Sequence, residues 1–216
     1  MEVHLVDSSN ALLYADEIER DYRNRHRIFV ENLGWETLRR PDGLEIDQYD
    51  GAYTSRLLLL RSGEVAGGLR LTPLSRPNLT FDHFADMLER PLPGPRELGA
   101  DWTRFYVVDP PRKLGPSNPA AHLYCAAMGF ALAQGWTYMT YIAKPAMLEM
   151  LMFLGWTTLP LGRPRILDGD LAVAAYIEVS ETALQSAQRI TGVTGPAIKS
   201  RNVIVGEPRR TLPLVH

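Results

Sequence analysis

The chain has 216 residues, 45% of them hydrophobic and 22% charged, so it can bury a substantial core within one domain. With 23 Lys plus Arg against 25 Asp plus Glu the formal charge is −2, which supplies no global field toward nucleic acid or an anionic membrane. The single cysteine, Cys125, rules out an intramolecular disulfide and a cysteine-built metal cluster, and no stretch approaches the roughly 18 uninterrupted apolar residues of a membrane span. The opening MEVHLVDSSNALLYADEIERD has no basic segment followed by an apolar one, so a cytoplasmic protein is expected.

From Asn10 to Leu33, apolar residues recur near helical spacing at Leu13, Ile18, Tyr22, Ile28 and Phe29, which predicts a helix. Residues 34–53 carry clustered charge with Pro41, Gly43 and Gly51, and read as a long, functional loop. Two apolar runs in RLLLLRSGEVAGGLRLTP flank Ser62-Gly63, the signature of an antiparallel hairpin. Trp102 to Val108 is a β-branched and aromatic strand stopped by Asp109-Pro110-Pro111. A helix starts near Pro119, runs through AAHLYCAAMGFALAQ and stops around Gly135, and a strand follows over Thr137 to Ile142. Pro145 suits the first turn of a helix, AMLEMLMFL, that Gly155 can close in a left-handed cap. Ala172 to Val179 reads as strand and Glu181 to Ile190 as a short helix. The Pro-rich stretches Pro91 to Pro95 and Pro110 to Pro119 read as ordered connections. This order predicts a single α/β domain over residues 1–216, a three-layer sandwich in which helices flank a mixed, mostly antiparallel central sheet. The tail from Arg201 to His216, with its Pro and basic residues, is expected to be mobile.

The order of elements resembles acyltransferases of the GNAT type, in which an acyl-thioester cofactor enters a cleft between two splayed central strands. Their phosphate-holding loop has a degenerate counterpart here in RKLGPS, which offers Arg112, Gly115 and Ser117 ahead of a helix N-terminus. A Pro-terminated connection without ligand fits the same residues.

A second set of residues is more specific. RNRHRIFVENLGW places Arg25, Phe29 and Trp35 ahead of GLEIDQYD with Asp47 and Asp50; GGLRLTP supplies Arg70, and DWTRF supplies Asp101, Arg104 and Phe105. Each alone fits a plain structural role: a solvated Arg, a core Phe, a polar turn. Together they resemble the acyl-homoserine-lactone synthases, the LuxI-type autoinducer synthases, through Arg-x3-Phe, Trp six residues on, Asp-x-x-Asp, Gly-x-Arg-Leu-x-Pro and a hydroxyl residue before Arg-Phe. Within that family WETLRRPDGLEIDQYD resembles members that take short branched or aromatic acyl groups from coenzyme A.

The resemblance implies that S-adenosylmethionine and an acyl thioester are the substrates, with no bound prosthetic group. The amine of S-adenosylmethionine takes the acyl group from acyl-CoA, or from acyl carrier protein, and lactone closure expels methylthioadenosine. The first substrate bears a sulfonium, an ammonium and a carboxylate, so acids, bases and an aromatic wall are needed together. Asp47 and Asp50 would offset its positive charges, Arg25 and Arg104 would hold its carboxylate or fix the acids, Phe29 and Trp35 would cover the pocket, and Arg70 and Phe105 would complete the binding set. Residues 1–53 would form a lid that orders on binding. Attack needs a neutral amine, so a carboxylate must take a proton directly or through water; Asp101 is the candidate, Glu97 ranks second, and Arg104 completes the catalytic pair. Asp101 stands where the family usually has Glu, and Thr103 where it usually has Ser. The oxyanion would meet backbone N–H groups at a bulge around Phe105 to Val107. The acyl group would be lined by Tyr106, Met128, Tyr138, Thr140, Tyr141, Met147 and Leu151, all of which also fit as plain core.

His4, His26, His83, His122 and His216 lack metal-ligand spacing, so no metal is expected. A carrier-protein partner would need a basic docking cluster, for which Arg112, Lys113 and Lys144 are candidates. Two other readings stand: a general acetyl-CoA-dependent N-acyltransferase, which leaves the Arg-Phe-Trp-Asp-Asp set without a use, and a catalytically silent ligand-binding relative.

Overall fold

A computed structural model describes residues 1–109, 111, 113–194 and 198–201; the expected tail and Arg112 lie outside them, apart from Arg201. Eight strands form one sheet: β1 (Glu2–Val6), β2 (Ser55–Arg61), β3 (Glu64–Pro73), β4 (Gly99–Val107), β5 (Tyr138–Ala143), β6 (Thr158–Pro160), β7 (Arg165–Leu167) and β8 (Asp170–Glu178). The spatial order is β1-β2-β3-β4-β5-β8-β6, with β7 also paired to β8. Every pairing is antiparallel except β4 with β5. The helices are α1 (Ala15–Arg25), α2 (Leu79–His83), α3 (Pro119–Ala133), α4 (Pro145–Phe153) and α5 (Glu181–Thr191).

The Leu57-to-Leu60 run is apolar without alternation because the sheet is covered on both faces. Ser62 and Gly63, both at positive φ, make the tight turn that joins β2 to β3. α3 packs against β2, β3, β4 and α5, and its apolar residues, with Met147, Leu148 and Leu151 of α4, join the main core on one face. On the other face lie α1, which packs on β3, and α2, which packs on β4 and β5. The three-layer arrangement expected from the element order is the one observed.

β1 and α2 were not anticipated. Five residues of EVHLV are too short to stand out in sequence, yet their pairing from Glu2↔Leu60 to Val6↔Arg56 covers the edge of β2. α2 is a single short turn of helix, with the Asn78 side chain accepting from the Phe81 N–H.

Two irregularities position the site. Gly68 pairs with Tyr106 but Arg70 pairs with Thr103, so Arg104 and Phe105 together oppose Leu69: a β-bulge, with Arg104 at φ +54°. The extra residue reverses the alternation of β4, so that Tyr106, not Phe105, shares a face with Asp101 and Thr103. The bulge therefore falls at Arg104–Phe105, at the near end of the expected Phe105 to Val107. The second irregularity is a fork. β4 and β5 pair only as Gly99↔Tyr138, Ala100↔Met139 and Asp101↔Thr140; beyond that point β4 stays with β3 and β5 with β8.

Candidate active site

The helix called for over Asn10 to Leu33 is α1 with a one-turn lead-in, and after Arg25 its hydrogen bonding widens to a π-helical turn over His26–Asn32. The loop that follows folds back on it: the Glu45 N–H donates to Tyr22 O at 3.1 Å. Within the loop the Asp47 side chain accepts from the Tyr49 N–H at 2.9 Å, an Asx-turn, and the Asp50 side chain accepts from the Asp47 N–H at 3.0 Å, so backbone donors set both carboxylates.

These carboxylates meet arginines from four elements in a buried lattice. Arg25 of α1 donates to both oxygens of Asp50 at 2.8 Å and from Nε to Glu45 at 2.6 Å. Arg104, turned by the bulge, donates to both oxygens of Glu45 and to Asp47, each at 2.9 Å. Arg70 of β3 grips both oxygens of Asp47 and donates from Nε to the Thr103 hydroxyl at 2.9 Å. Arg56 of β2 reaches Asp50 at 3.1 Å and the Tyr22 hydroxyl at 2.9 Å. Burial works against charge on Asp50, but the hydrogen bond from Arg25 and the charges of Arg25, Arg70 and Arg56 outweigh it and hold its carboxyl well below the usual range. Asp21 sits under the lattice, 3.7 Å from Arg25, and accepts from the Tyr106 hydroxyl at 2.7 Å. There burial prevails over Arg25 and the hydroxyl, and its pKa is raised. Of the acids in the lattice Asp47 is the most open, with 14% of its side chain exposed.

The aromatic wall stands beside this open acid. Phe29 and Trp35 stack with centroids 5.1 Å apart, Tyr106 meets Phe29 edge-on at 6.3 Å, and the Arg104 guanidinium lies 5.9 Å from the Phe29 ring.

Asp101 lies on the same face of β4, at the closed end of the fork, 1% exposed. One carboxylate oxygen accepts from the Thr80 hydroxyl at 2.7 Å and from the Thr140 hydroxyl at 3.3 Å; the other accepts from the Thr80 N–H at 3.1 Å and keeps a lone pair. Burial raises its pKa, against the Thr80 hydrogen bonds and the charge of Arg70. Glu97 lies in a short helical turn ahead of β4 and makes no side-chain hydrogen bond among the described residues.

The opposite face of β4 is apolar. Trp102, Phe105, Tyr124 of α3, Tyr141 of β5 and Trp156 form one ring cluster, with Phe105 stacked on Tyr124 at 4.9 Å. The predicted positions divide accordingly. Arg25, Phe29, Trp35, Asp47, Asp50, Arg70 and Arg104 converge. Phe105, expected beside them, points instead into the ring cluster, and Tyr106, expected on the acyl side, points into the lattice: the bulge exchanges the two. Tyr141 lies in the ring cluster, Met128 is buried in α3 and Met147 borders the cluster through Tyr124. Thr140 and Tyr138 face the other way, Thr140 toward Asp101. Gly115 and Ser117 precede α3, whose first turn is capped by the Asn118 side chain accepting from the Ala120 N–H at 2.9 Å. Arg112 is outside the described residues. Lys144 is paired with Asp170 at 2.8 Å, which uses one charge of the expected docking cluster.

Glu45, Arg56, Asp21 and Thr80 were missed. Glu45 stands in GLEIDQYD two residues before Asp47, and Asp21 one helical turn before Arg25, so both had a local signal. Thr80 had none, because its link to Asp101 is purely tertiary.

The family model described as autoinducer synthase matches residues 9–187. The chain belongs to the autoinducer synthase family. It is 36% identical over 185 residues to isovaleryl-homoserine lactone synthase of Bradyrhizobium diazoefficiens, covering 84% of this chain and 82% of that one. It is 32% identical to an acyl-homoserine-lactone synthase of Pantoea stewartii, covering 71% and 73%. A solved CoA-dependent acyl-homoserine lactone synthase, determined with SAM and isopentyl-CoA, superposes with a TM-score of 0.85 at 31% identity, covering 94% of this chain and 95% of that one. The autoinducer synthase is thus an S-adenosylmethionine-dependent acyltransferase on a GNAT-like fold. No helix among the described residues is long and apolar enough to cross a membrane.

Proposed function

We propose that this autoinducer synthase joins a compact acyl group, delivered by coenzyme A, to the amine of S-adenosylmethionine, with the lattice side of β4 as the sulfonium site and the fork as the thioester entry. The single observation that carries the reading is the strand β4 itself. It presents paired charges and stacked rings on one face, a ring-lined apolar cluster on the other, and a bulge between them.

In this reading Asp47, Phe29, Trp35 and Arg104 face S-adenosylmethionine, while Arg25, Arg70, Asp50 and Glu45 hold that surface in place. The neutral amine attacks the thioester carbonyl, the N–C bond forms, and the coenzyme A thiolate leaves. Asp101 takes the amine proton, directly or through one water, using the lone pair that Thr80 leaves free; its raised pKa suits a base. Backbone N–H groups at the Arg104–Phe105 bulge hold the oxyanion. Lactone closure follows when the methionyl carboxylate attacks its own γ-carbon and the C–S bond breaks, releasing neutral methylthioadenosine.

The ring cluster narrows the acyl side, which favours short or branched acyl groups. Pairing of Lys144 with Asp170 weakens the case for a docked acidic carrier protein. The test is release of methylthioadenosine from S-adenosylmethionine with isovaleryl-CoA and, separately, with isovaleryl-loaded acyl carrier protein. Release that depends on the CoA thioester and is at least tenfold slower with the carrier supports the proposal; release that never depends on an acyl donor overturns it.

A further inference from the structure

α1 is held in place by charge more than by an apolar face. Its buried residues are Glu17, Asp21 and Arg25, four apart along one side, while Ile18 and Tyr22 are only half-buried. A charge buried without a partner is strongly destabilising, so each member of this stripe needs one. Arg25 has the lattice, and Asp21 has Arg25 and the Tyr106 hydroxyl. Glu17, 8% exposed, lies two turns or about 12 Å along the helix from Arg25. Its partner comes from the far end of the chain. Residues 198–201 run along β1: the Leu5 N–H donates to Lys199 O and the Lys199 N–H to Val3 O, each at 2.8 Å, and Ile198 packs on the main core. From this support Arg201 donates to the Glu17 carboxylate at 2.6 Å, to Leu13 O at 2.6 Å and, through its backbone N–H, to the Tyr14 hydroxyl at 2.8 Å. Its guanidinium lies 4.3 Å from the centre of the Tyr14 ring. Burial works against charge on Glu17, but the hydrogen bond and charge of Arg201 outweigh it and lower its pKa. Among the described residues Glu17 accepts from no other side chain.

We propose that Arg201 is a positioning residue for the S-adenosylmethionine site, acting through α1. It clamps the start of the helix whose end carries Arg25 and whose continuation carries Phe29. This rests on the reading that the lattice side of β4 is the S-adenosylmethionine site. A clamp at this end matters because the helix and the acidic loop move as one piece: α1 runs without a break into the widened turn of Phe29, and the Glu45 N–H bonds back to Tyr22 O. A displaced α1 therefore carries the ring wall and the arginine that orders Asp50 away from β4 together. The side-chain bonds of Arg201 go only to the lead-in and first turn of α1, so the acyl side of the strand does not depend on it.

The experiment measures acyl-dependent methylthioadenosine release by the full chain and by Arg201→Ala, with each substrate varied in turn and isovaleryl-CoA as donor. The variant is expected to raise the KM for S-adenosylmethionine about tenfold, equivalent to about 1.4 kcal/mol, while kcat and the KM for the thioester stay within about twofold. A merely structural contact would lower the folded fraction, and so the apparent kcat, without separating the two KM values. Arg201→Lys, which keeps a charge for Glu17 but loses the fork to Leu13 O, should fall between parent and Arg201→Ala. Should Arg201→Ala not fold, the same KM separation is read in Arg201→Lys. The pair Glu17→Gln with Arg201→Ala should raise the KM no further than Arg201→Ala alone, because the acid that Arg201 serves is gone. An unchanged KM for S-adenosylmethionine in Arg201→Ala, or an equal rise in both KM values, overturns the inference. Asp47→Asn separates the two failures: if it raises that KM and Arg201→Ala does not, the clamp alone has failed; if neither does, the reading of the lattice as the S-adenosylmethionine site has failed with it.

Discussion

The two faces of β4 solve opposite problems with the same nine residues of backbone. On the α1 face, guanidiniums and carboxylates are buried in nearly equal number and each charge is matched by another, so the wall is polar yet close to neutral. On the α3 face, Trp102 and Phe105 meet rings from α3, β5 and the segment after α4, and polarity is reduced to edge hydrogen bonds. A lattice of charges is strong only while complete: removing one member of a buried pair leaves its partner desolvated and alone. A ring cluster degrades more gradually, since a lost ring costs area and a cavity but strands no charge. The lesson is that one bulged residue lets a single strand serve a charged substrate and an apolar one without either environment intruding on the other.

That contrast can be broken most forcefully at its junction. Asp101→Asn, which keeps the shape and both Thr80 contacts within reach, is expected to lower kcat by about 100- to 10,000-fold with little change in the KM for S-adenosylmethionine; retention of parental kcat would remove Asp101 as the base. Next in size is Arg25→Ala, expected to destabilise the fold by about 3–5 kcal/mol in a denaturant titration, because Asp50 and Glu45 would both lose a buried partner. A loss under 1 kcal/mol would mean that the lattice is solvated.

The exchange of Phe105 and Tyr106 is tested by a pair of milder variants. Phe105→Leu should raise the KM for the acyl thioester several-fold and leave that for S-adenosylmethionine unchanged. Tyr106→Phe, which deprives Asp21 of its hydroxyl donor, should do the reverse and cost about 1–2 kcal/mol of stability. If the two variants moved the opposite constants, the bulge would not divide the strand as described.

The smallest effect is a pH dependence, with opposite signs on different carboxyls. Asp50 is depressed, so its contribution to stability is complete above the unfolded carboxylate value of about 4 and is lost only as pH falls below it. Asp21 and Asp101 are raised, so their folded forms are favoured when protonated, and that contribution is lost as pH rises from about 4 through their folded values. The acid limb of kcat/KM should accordingly fall above pH 4 and should vanish, along with most of the rate, in Asp101→Asn. Asp21→Asn should be less destabilising at pH 8 than at pH 4 in chemical denaturation.

Most of the fold was legible because its central elements carry strong local signals: the Ser62-Gly63 turn, the continuous apolar run of β2, Pro119 and Pro145 opening α3 and α4, and Gly155 at φ +76° closing α4. β1, β6 and β7 escaped because three to five residues carry too little pattern to distinguish pairing from loop. Of the lattice, Arg25, Asp47, Asp50, Arg70 and Arg104 were legible as a set, from their likeness to a family and not from any one spacing, whereas Glu45, Arg56 and Asp21 were not. The sides of Phe105 and Tyr106 were not legible, since a bulge leaves no mark in a β-branched and aromatic run, yet it inverts the assignments after it. Asp101 could be picked out by position, but its anchoring by Thr80 depends on a helix turn that is 21 residues away in the chain.

The widened turn after Arg25 has the same arithmetic as the bulge. Leu33, Gly34 and Trp35 bond back to Ile28, Val30 and Phe29, which lets the chain reverse and lay the Trp35 indole flat on the Phe29 ring. Both places accommodate one residue more than a regular repeat would hold. Single-residue deletion there should therefore be far more damaging than any substitution, because it rotates everything downstream out of phase. A homologue of different length can be expected to place its insertions anywhere but at these two counting points.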